Sequence, residues 1–79
     1  MTDINEIEVA ITGYLDGWRY DTTYNVIWGY IYDDARDRFP NGSYIHTSDI
    51  PGGRDRTFKE GDCVTTLNSK YILRKRLGA

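Results

Sequence analysis

Residues able to do chemistry are few in this 79-residue chain, and they form no catalytic motif. There is one histidine, His46, and one cysteine, Cys63. A thiolate nucleophile needs an adjacent base, so these two could act as a pair only if the fold brought them together. A zinc site needs about four ligands, which one imidazole and one thiol cannot supply. We therefore expect no enzyme, with Cys63 beginning a strand as a small buried residue and His46 on a sheet face.

A second candidate is the acidic run Asp33, Asp34 and Asp37, which directly follows the most hydrophobic stretch of the chain. Carboxylates bind divalent cations, but this spacing lacks the alternate-residue ligands and closing glutamate of a calcium loop. Arg36 and Arg38 also compete for the acids. The interpretations left are a solvated helix start and an acidic contact surface, and we predict no metal and no cofactor.

A possible phosphate-binding segment follows Gly52-Gly53 and contains three basic residues, Arg54, Arg56 and Lys59. The stretch lacks the spacing of a phosphate-binding loop and its strand-to-helix context. A pI near 5.2 argues against nucleic acid as the partner. The alternative function left open is a small phosphate-ligand or nucleic-acid binding module, which would use these residues and the basic C-terminal hairpin to sequester a nucleotide.

Charge is divided unevenly along the chain, although the formal net charge is only −2. Residues 1–37 carry eight acids and two arginines, whereas residues 38–79 carry four acids and eight bases. Such asymmetry can mark a charged partner. The alternative is that the two halves interleave in the fold and their charges mix.

Alternating apolar and polar residues predict strands throughout the chain. The predicted strands lie near residues 6–15, 24–32 and 43–48, and a C-terminal hairpin lies near 62–75. We predict a turn at Asp16-Gly17, and Gly29 predicts a bulge or a close backbone approach. The run 33–39 predicts a short helix closed by Pro40, because its leading acids and trailing arginines suit the helix dipole.

The predicted fold is mainly β, bordering on α+β, and forms a single domain over residues 1–79. About five strands would make a curved antiparallel sheet or a small barrel, with one short helix near 33–39. No apolar run approaches the roughly 20 residues of a membrane helix, and the acidic N-terminal residues do not resemble a signal peptide. We expect a cytoplasmic monomer without membrane contact, and a single cysteine fits a reducing compartment.

Four short patterns occur in a fixed order: Gly29-Tyr30-Ile31-Tyr32-Asp33, Arg38-Phe39 with Gly42, Ile45-His46-Thr47-Ser48, and Thr66-x-Asn68-Ser69-x-Tyr71. Over residues 27–74 this order resembles short proteins encoded by bacteriophages and prophages. In size, charge and lack of catalytic residues, the chain is similar to type I anti-CRISPR proteins. The resemblance implies an inhibitor in the host bacterial cytoplasm that binds a type I CRISPR surveillance complex and blocks target DNA binding.

The mechanism implied by the resemblance is an acidic and aromatic surface that occupies the basic DNA-binding surface of the Cas subunits. Carboxylates would supply charge complementarity, and aromatic rings would supply apolar anchors. The predicted partner-binding residues are Asp16, Trp18, Asp21, Tyr30, Tyr32, Asp33, Asp34 and Asp37.

Overall fold

The computed structural model describes residues 10–78, in which five strands form one sheet. The strands are β1 (Gly13–Asp21), β2 (Val26–Tyr32), β3 (Ser43–His46), β4 (Cys63–Thr65) and β5 (Lys70–Leu73). Their order across the sheet is β3-β2-β1-β5-β4. The helical content of this range is one 3₁₀ turn, Gly53–Asp55. The predicted mainly β fold with five strands is confirmed.

The sheet is mixed, because one of its four strand pairings is parallel. The pairs β1–β2, β2–β3 and β4–β5 are antiparallel, as expected. By contrast, β1 runs parallel to β5, with Gly13 opposite Tyr71 and Leu15 opposite Leu73. Within residues 10–78, β3 and β4 are the two edge strands, so the described sheet is open rather than a closed barrel.

A bulge interrupts β1 at Gly17 and Trp18. These two residues lie opposite the single residue Gly29 of β2. Gly17 has a φ of +56°, the left-handed conformation that suits glycine at the first position of such a bulge. The chain therefore continues as a strand to Asp21, and the turn predicted at Asp16-Gly17 is wrong. The irregularity expected at Gly29 is confirmed, with the extra residue on the facing strand.

The bulge decides which side chains of β1 point into the core. Alternate residues of a regular strand share a face, so Leu15 and Trp18 would point in opposite directions. Here both are buried, with side chains 0% and 1% exposed. Arg19 consequently points to the opposite side of the sheet and is exposed.

The core lies between one face of the sheet and the connection from β3 to β4. Its members are Leu15, Trp18, Ile27, Ile31, Ile45, Ile50, Phe58, Val64, Tyr71 and Leu73. Ile50 and Phe58 come from the connection and cover the sheet. Asn25, in the β1–β2 turn, holds this connection in place: its side-chain amide donates to the Ile50 carbonyl at 2.7 Å and accepts from the Tyr20 hydroxyl at 2.6 Å.

The helix predicted at 33–39 is wrong, and the segment is an irregular connection between β2 and β3. Asp33 and Asp37 have φ angles of +54° and +53°, which no right-handed helix contains. The Asp34 carboxylate also accepts backbone N–H groups of later residues, in competition with helical hydrogen bonds.

The strand boundaries predicted for the rest of the chain are closer to those observed. The predicted segments 24–32 and 43–48 contain β2 and β3, and the predicted hairpin at 62–75 contains β4 and β5. The first strand, predicted near 6–15, overlaps β1 only at its C-terminal end, and its residues 6–9 lie outside the described residues. Over residues 10–78, the helical content falls far short of the length and apolar character that a membrane span requires.

Replacing Gly29 with valine should destabilise the protein. A Cβ atom at this position would lie 3.3 Å from the Asp16 carbonyl oxygen and from the Cβ atoms of Leu15 and Trp18. Because a branched side chain would add atoms to filled space, we expect the free energy of unfolding in urea to fall by about 1–3 kcal/mol. Thr65→Val, on an exposed position of β4, is the control and should stay within about 0.5 kcal/mol. Equal stability of Gly29→Val and the wild type would contradict the close approach.

Candidate functional site

The candidate site is the face of β1, β2 and β3 that points away from the core, which we call the outer face. Residues directly opposite each other on paired strands share a face, and alternate residues continue it along each strand. The side chains of the outer face are Tyr14, Asp16, Arg19, Asp21, Trp28, Tyr30, Tyr32, Tyr44 and His46. This surface therefore combines aromatic rings with charges of both signs.

Four of these side chains form an aromatic cluster: Trp28, Tyr30, Tyr44 and His46. The Trp28 ring lies 4.7 Å from the His46 ring and 5.7 Å from the Tyr44 ring, measured between centroids. Tyr44 also lies 4.9 Å from Tyr30. Tyr30 and Tyr44 are 44% and 49% exposed. Because each ring packs against a neighbour, the cluster is ordered before any partner arrives and loses little side-chain entropy on binding.

Asp21 fixes the orientation of the Trp28 indole. Its Oδ2 atom accepts the indole N–H at 3.1 Å, and its Oδ1 atom accepts the backbone N–H groups of Thr23 and Tyr24. The hydrogen bond from Trp28, with those from the turn, holds the pKa of Asp21 below its usual value. The Arg19 guanidinium lies over the Trp28 ring, 5.7 Å from its centroid. The carboxylate thus closes the β1–β2 hairpin and also positions the aromatic cluster.

An apolar cleft adjoins the cluster at the hairpin end of the sheet. It has a volume of about 400 Å³ and is lined by Tyr24, Val26, Trp28 and His46. Tyr24 is 69% exposed, so its ring forms an open wall of the cleft. An apolar recess with a few polar groups at its margin is the usual form of a site that takes an inserted side chain.

At the other end of the outer face, charges from the two halves of the chain meet. The Arg74 guanidinium lies 4.6 Å from the Tyr14 ring and 5.5 Å from the Tyr32 ring. It also lies 3.6 Å from the Asp33 carboxylate. Asp16 accepts a backbone N–H from the C-terminal segment as well. On this face the acidic N-terminal half and the basic C-terminal half of the chain therefore interleave. Their charges mix, so the acidic excess of residues 1–37 does not form one acidic patch here.

The structure brings together most of the predicted partner-binding residues. Asp16, Asp21, Tyr30 and Tyr32 lie on the outer face, and Asp33 lies at its edge. Asp37 is exposed in the connection between β2 and β3.

Trp18 and Asp34 are corrections to the predicted surface. The Trp18 indole is buried in the core and donates its N–H to the Arg74 carbonyl at 2.9 Å. The bulge is the physical reason, because it turns this side chain inward. The Asp34 side chain is only 1% exposed, so it presents no charge to a partner.

Asp34 instead organises the irregular connection between β2 and β3. Its carboxylate accepts the backbone N–H groups of Arg36, Arg38 and Phe39, and it pairs with the Arg38 guanidinium at 3.2 Å. Burial alone would raise the pKa of Asp34, but the hydrogen bonds from the Arg38 side chain and from the backbone N–H groups of Arg36 and Arg38 outweigh it and lower the pKa. The Asp34 carboxylate therefore stabilises the connection between β2 and β3.

The sequence analysis missed Arg19, Arg74, Trp28, Tyr44 and His46 as parts of one surface. Alternate residues of a strand share a face, so within each predicted strand Trp28 falls beside Tyr30, and Tyr44 beside His46. The register that puts the two pairs side by side is a tertiary property of β2 and β3. Arg74 reaches the outer face because β5 pairs in parallel with β1. A pairing between strands so far apart in the chain has no local sequence signal.

The structure separates the two residues considered for nucleophilic chemistry. His46 is on β3 and Cys63 is on β4, at opposite edges of the five-stranded sheet. With strands about 4.8 Å apart, the two edges are roughly 19 Å from each other. Cys63 is exposed, so its predicted burial is wrong, whereas His46 lies on a sheet face as predicted. In the part of the chain that the structure describes, no three His, Cys, Asp or Glu side chains are grouped as metal ligands.

Comparison with known protein families, curated proteins and solved structures finds no match to this chain.

Replacing Asp34 with asparagine should destabilise the protein in a pH-dependent way. At pH 7 we expect the free energy of unfolding to fall by about 1–3 kcal/mol, because charge-assisted hydrogen bonds to the loop are lost. The pKa of Asp34 in the folded protein lies below its ordinary value of 3.8, so this stabilisation is complete above that pH and disappears as the pH falls through the folded-state pKa. Urea unfolding at pH 7, 5, 4 and 3 should therefore show the difference shrinking below about pH 4.

The matched control for Asp34→Asn is Asp37→Asn in the same connection. Asparagine tolerates the positive φ of this exposed position, so the change in stability should stay within about 0.5 kcal/mol at every pH. A difference between Asp34→Asn and the wild type that stays constant from pH 7 to pH 3 would refute the assigned role of the carboxylate.

Proposed function

We propose that the protein is a non-enzymatic inhibitor that binds another protein through its outer face. The observation that carries the proposal is the ordered aromatic cluster of Trp28, Tyr30, Tyr44 and His46 beside an apolar cleft. Protein interfaces concentrate their binding energy in a few aromatic and arginine side chains near the centre, surrounded by a polar rim. The outer face has this composition, with rings at its centre and charged groups on both sides.

The partner we propose is a type I CRISPR surveillance complex, on the surface where its Cas subunits hold target DNA. The resemblance to phage-encoded anti-CRISPR proteins supports this choice. The outer face carries the carboxylates of Asp16, Asp21 and Asp33 against the guanidinium groups of Arg19 and Arg74, an excess of one negative charge. In this proposal the three carboxylates, at the margins of the face, meet lysines and arginines of the partner's DNA-binding groove. In this proposal the rings supply most of the affinity and the acids supply orientation and encounter rate, because rim charges act mainly in those ways. The protein would act as a monomer in the host cytoplasm.

Removing the two exposed tyrosine rings of the cluster should weaken binding without unfolding the protein. For a Tyr30→Ala/Tyr44→Ala variant we expect a loss of affinity for the surveillance complex of about 30-fold or more, the effect of truncating interface hot spots. The loss would be measured by surface plasmon resonance and by competition with target DNA. Circular dichroism and thermal unfolding would show that the variant remains folded.

The matched control is Leu67→Ala, which removes an exposed apolar side chain from the turn between β4 and β5, the two strands farthest from β3 in the sheet. It should bind as the wild type does. Full binding by the folded double variant would exclude the outer face as the interface. If the wild-type protein binds no type I complex, the choice of partner is wrong.

A further inference from the structure

A second surface, separate from the outer face, gathers three arginines around a groove. Arg54 and Arg56 flank the end of the 3₁₀ turn, and Arg76 comes from the segment after β5. The groove has a volume of about 280 Å³, and its lining is completed by Trp18, Tyr20, Thr22, Thr57 and Phe58. Trp18 and Tyr20 point away from the outer face, so the groove opens on the side of the sheet that carries the core. We call it the arginine groove.

Contacts with the protein position each guanidinium of the arginine groove. Arg54 donates to the Thr23 carbonyl at 3.2 Å. Arg56 lies 4.5 Å from the Phe58 ring, and Arg76 lies 5.5 Å from the Trp18 ring. A guanidinium has five N–H donors and can stack through its flat face, so these contacts leave donors free for a ligand.

The arginine groove has more positive charge than its own carboxylates neutralise. Arg56 pairs with Asp62 at 3.1 Å. Among residues 10–78, no carboxylate lies within ion-pair distance of Arg54 or Arg76. The Glu60 carboxylate accepts the backbone N–H of Arg76 at 3.4 Å, a weak contact that does not involve the guanidinium. Among the described residues, the guanidinium groups of Arg54 and Arg76 thus line one small groove without an ion pair, in a protein whose net charge is negative.

We propose that the arginine groove binds the phosphate group of a small phosphate ester, with Arg54 and Arg76 as the main ligands. Guanidinium forks match phosphate oxygens in pairs, and charge-assisted hydrogen bonds of this kind are the strong ones. Thr22 and Thr57 line the same groove, and a threonine hydroxyl is a further donor suited to phosphate oxygens. Of the aromatic lining residues, Trp18 and Phe58 are buried, so Tyr20, which is half-buried, is the ring that would contact the organic part of the ligand.

The size and charge of the groove favour a small ligand over a nucleic-acid strand. A volume of about 280 Å³ is just below the roughly 300–1,000 Å³ of typical small-molecule sites, so the groove has room only for a small ligand. Single-strand binding uses an extended basic path with successive stacking platforms. Here Asp55 lies between Arg54 and Arg56 in sequence, Asp62 pairs with Arg56, and Glu60 accepts the backbone N–H of Arg76, so carboxylates interrupt any longer basic path.

The experiment is isothermal titration calorimetry with pyrophosphate, ADP and a thymidine oligonucleotide as probes. We expect saturable binding of pyrophosphate and ADP by the wild type. Arg54→Gln and Arg76→Gln, measured separately, should each weaken that binding about tenfold or more, as expected for loss of a charge-assisted hydrogen bond. Both positions are exposed, so the variants should remain folded, and thermal unfolding would verify this.

The matched control is Arg19→Gln, which removes an arginine from the outer face and should leave pyrophosphate and ADP affinity unchanged. In the wild type, NMR amide shifts on adding ADP should be concentrated in residues 54–58 and around Arg76. The proposal is overturned by no binding of either phosphate probe, by equal losses in Arg19→Gln, or by affinity that appears only with the oligonucleotide. These outcomes leave the proposed protein partner unaffected, because that interface lies on the other side of the sheet.

Discussion

The bulge in β1, where Gly17 and Trp18 face Gly29, determines the architecture on both sides of the sheet. It requires glycine twice: Gly17 for its left-handed backbone, and Gly29 because three atoms of β1 lie 3.3 Å from where a Cβ would be. By inserting one residue, the bulge sends the largest side chain of β1 into the core. It also resets the alternation, so that the remaining residues of β1 align with Trp28 on the outer face. Core packing and the candidate surface therefore depend on the same local irregularity.

The two surfaces proposed as binding sites are made by different kinds of contact. The outer face is built from cross-strand pairs, so its rings are fixed by the register of three strands and by the Asp21 carboxylate that holds Trp28. The arginine groove is built where the β3–β4 connection and the C-terminal segment meet beneath β1. Asn25 holds that connection against the hairpin. A partner on the outer face and a ligand in the groove could thus be bound at the same time.

The sequence predicted what depends on local pattern and missed what depends on distant contacts. Alternation of apolar and polar residues correctly indicated the mainly β class, the strands β2 and β3, and the C-terminal hairpin. The surface implied by the resemblance included Trp18, and a period of two does not reveal the inserted residue that turns this side chain inward. The run 33–39 has the charges of a helix, but Asp34 takes up its backbone N–H groups. The parallel pairing of β1 with β5, which mixes the acidic and basic halves, has no local signal.

The most direct test of the account is the solvent accessibility of Trp18, since the bulge must bury it for the outer face to exist as described. The protein has two tryptophans, so a Trp28→Phe variant reports on Trp18 alone. Acrylamide quenching of its fluorescence should be several-fold weaker than quenching of a free tryptophan derivative, and its emission should be shifted to shorter wavelength. Quenching as strong as that of the free derivative would show that Trp18 faces solvent, and would contradict both the register of β1 and the surface built on it.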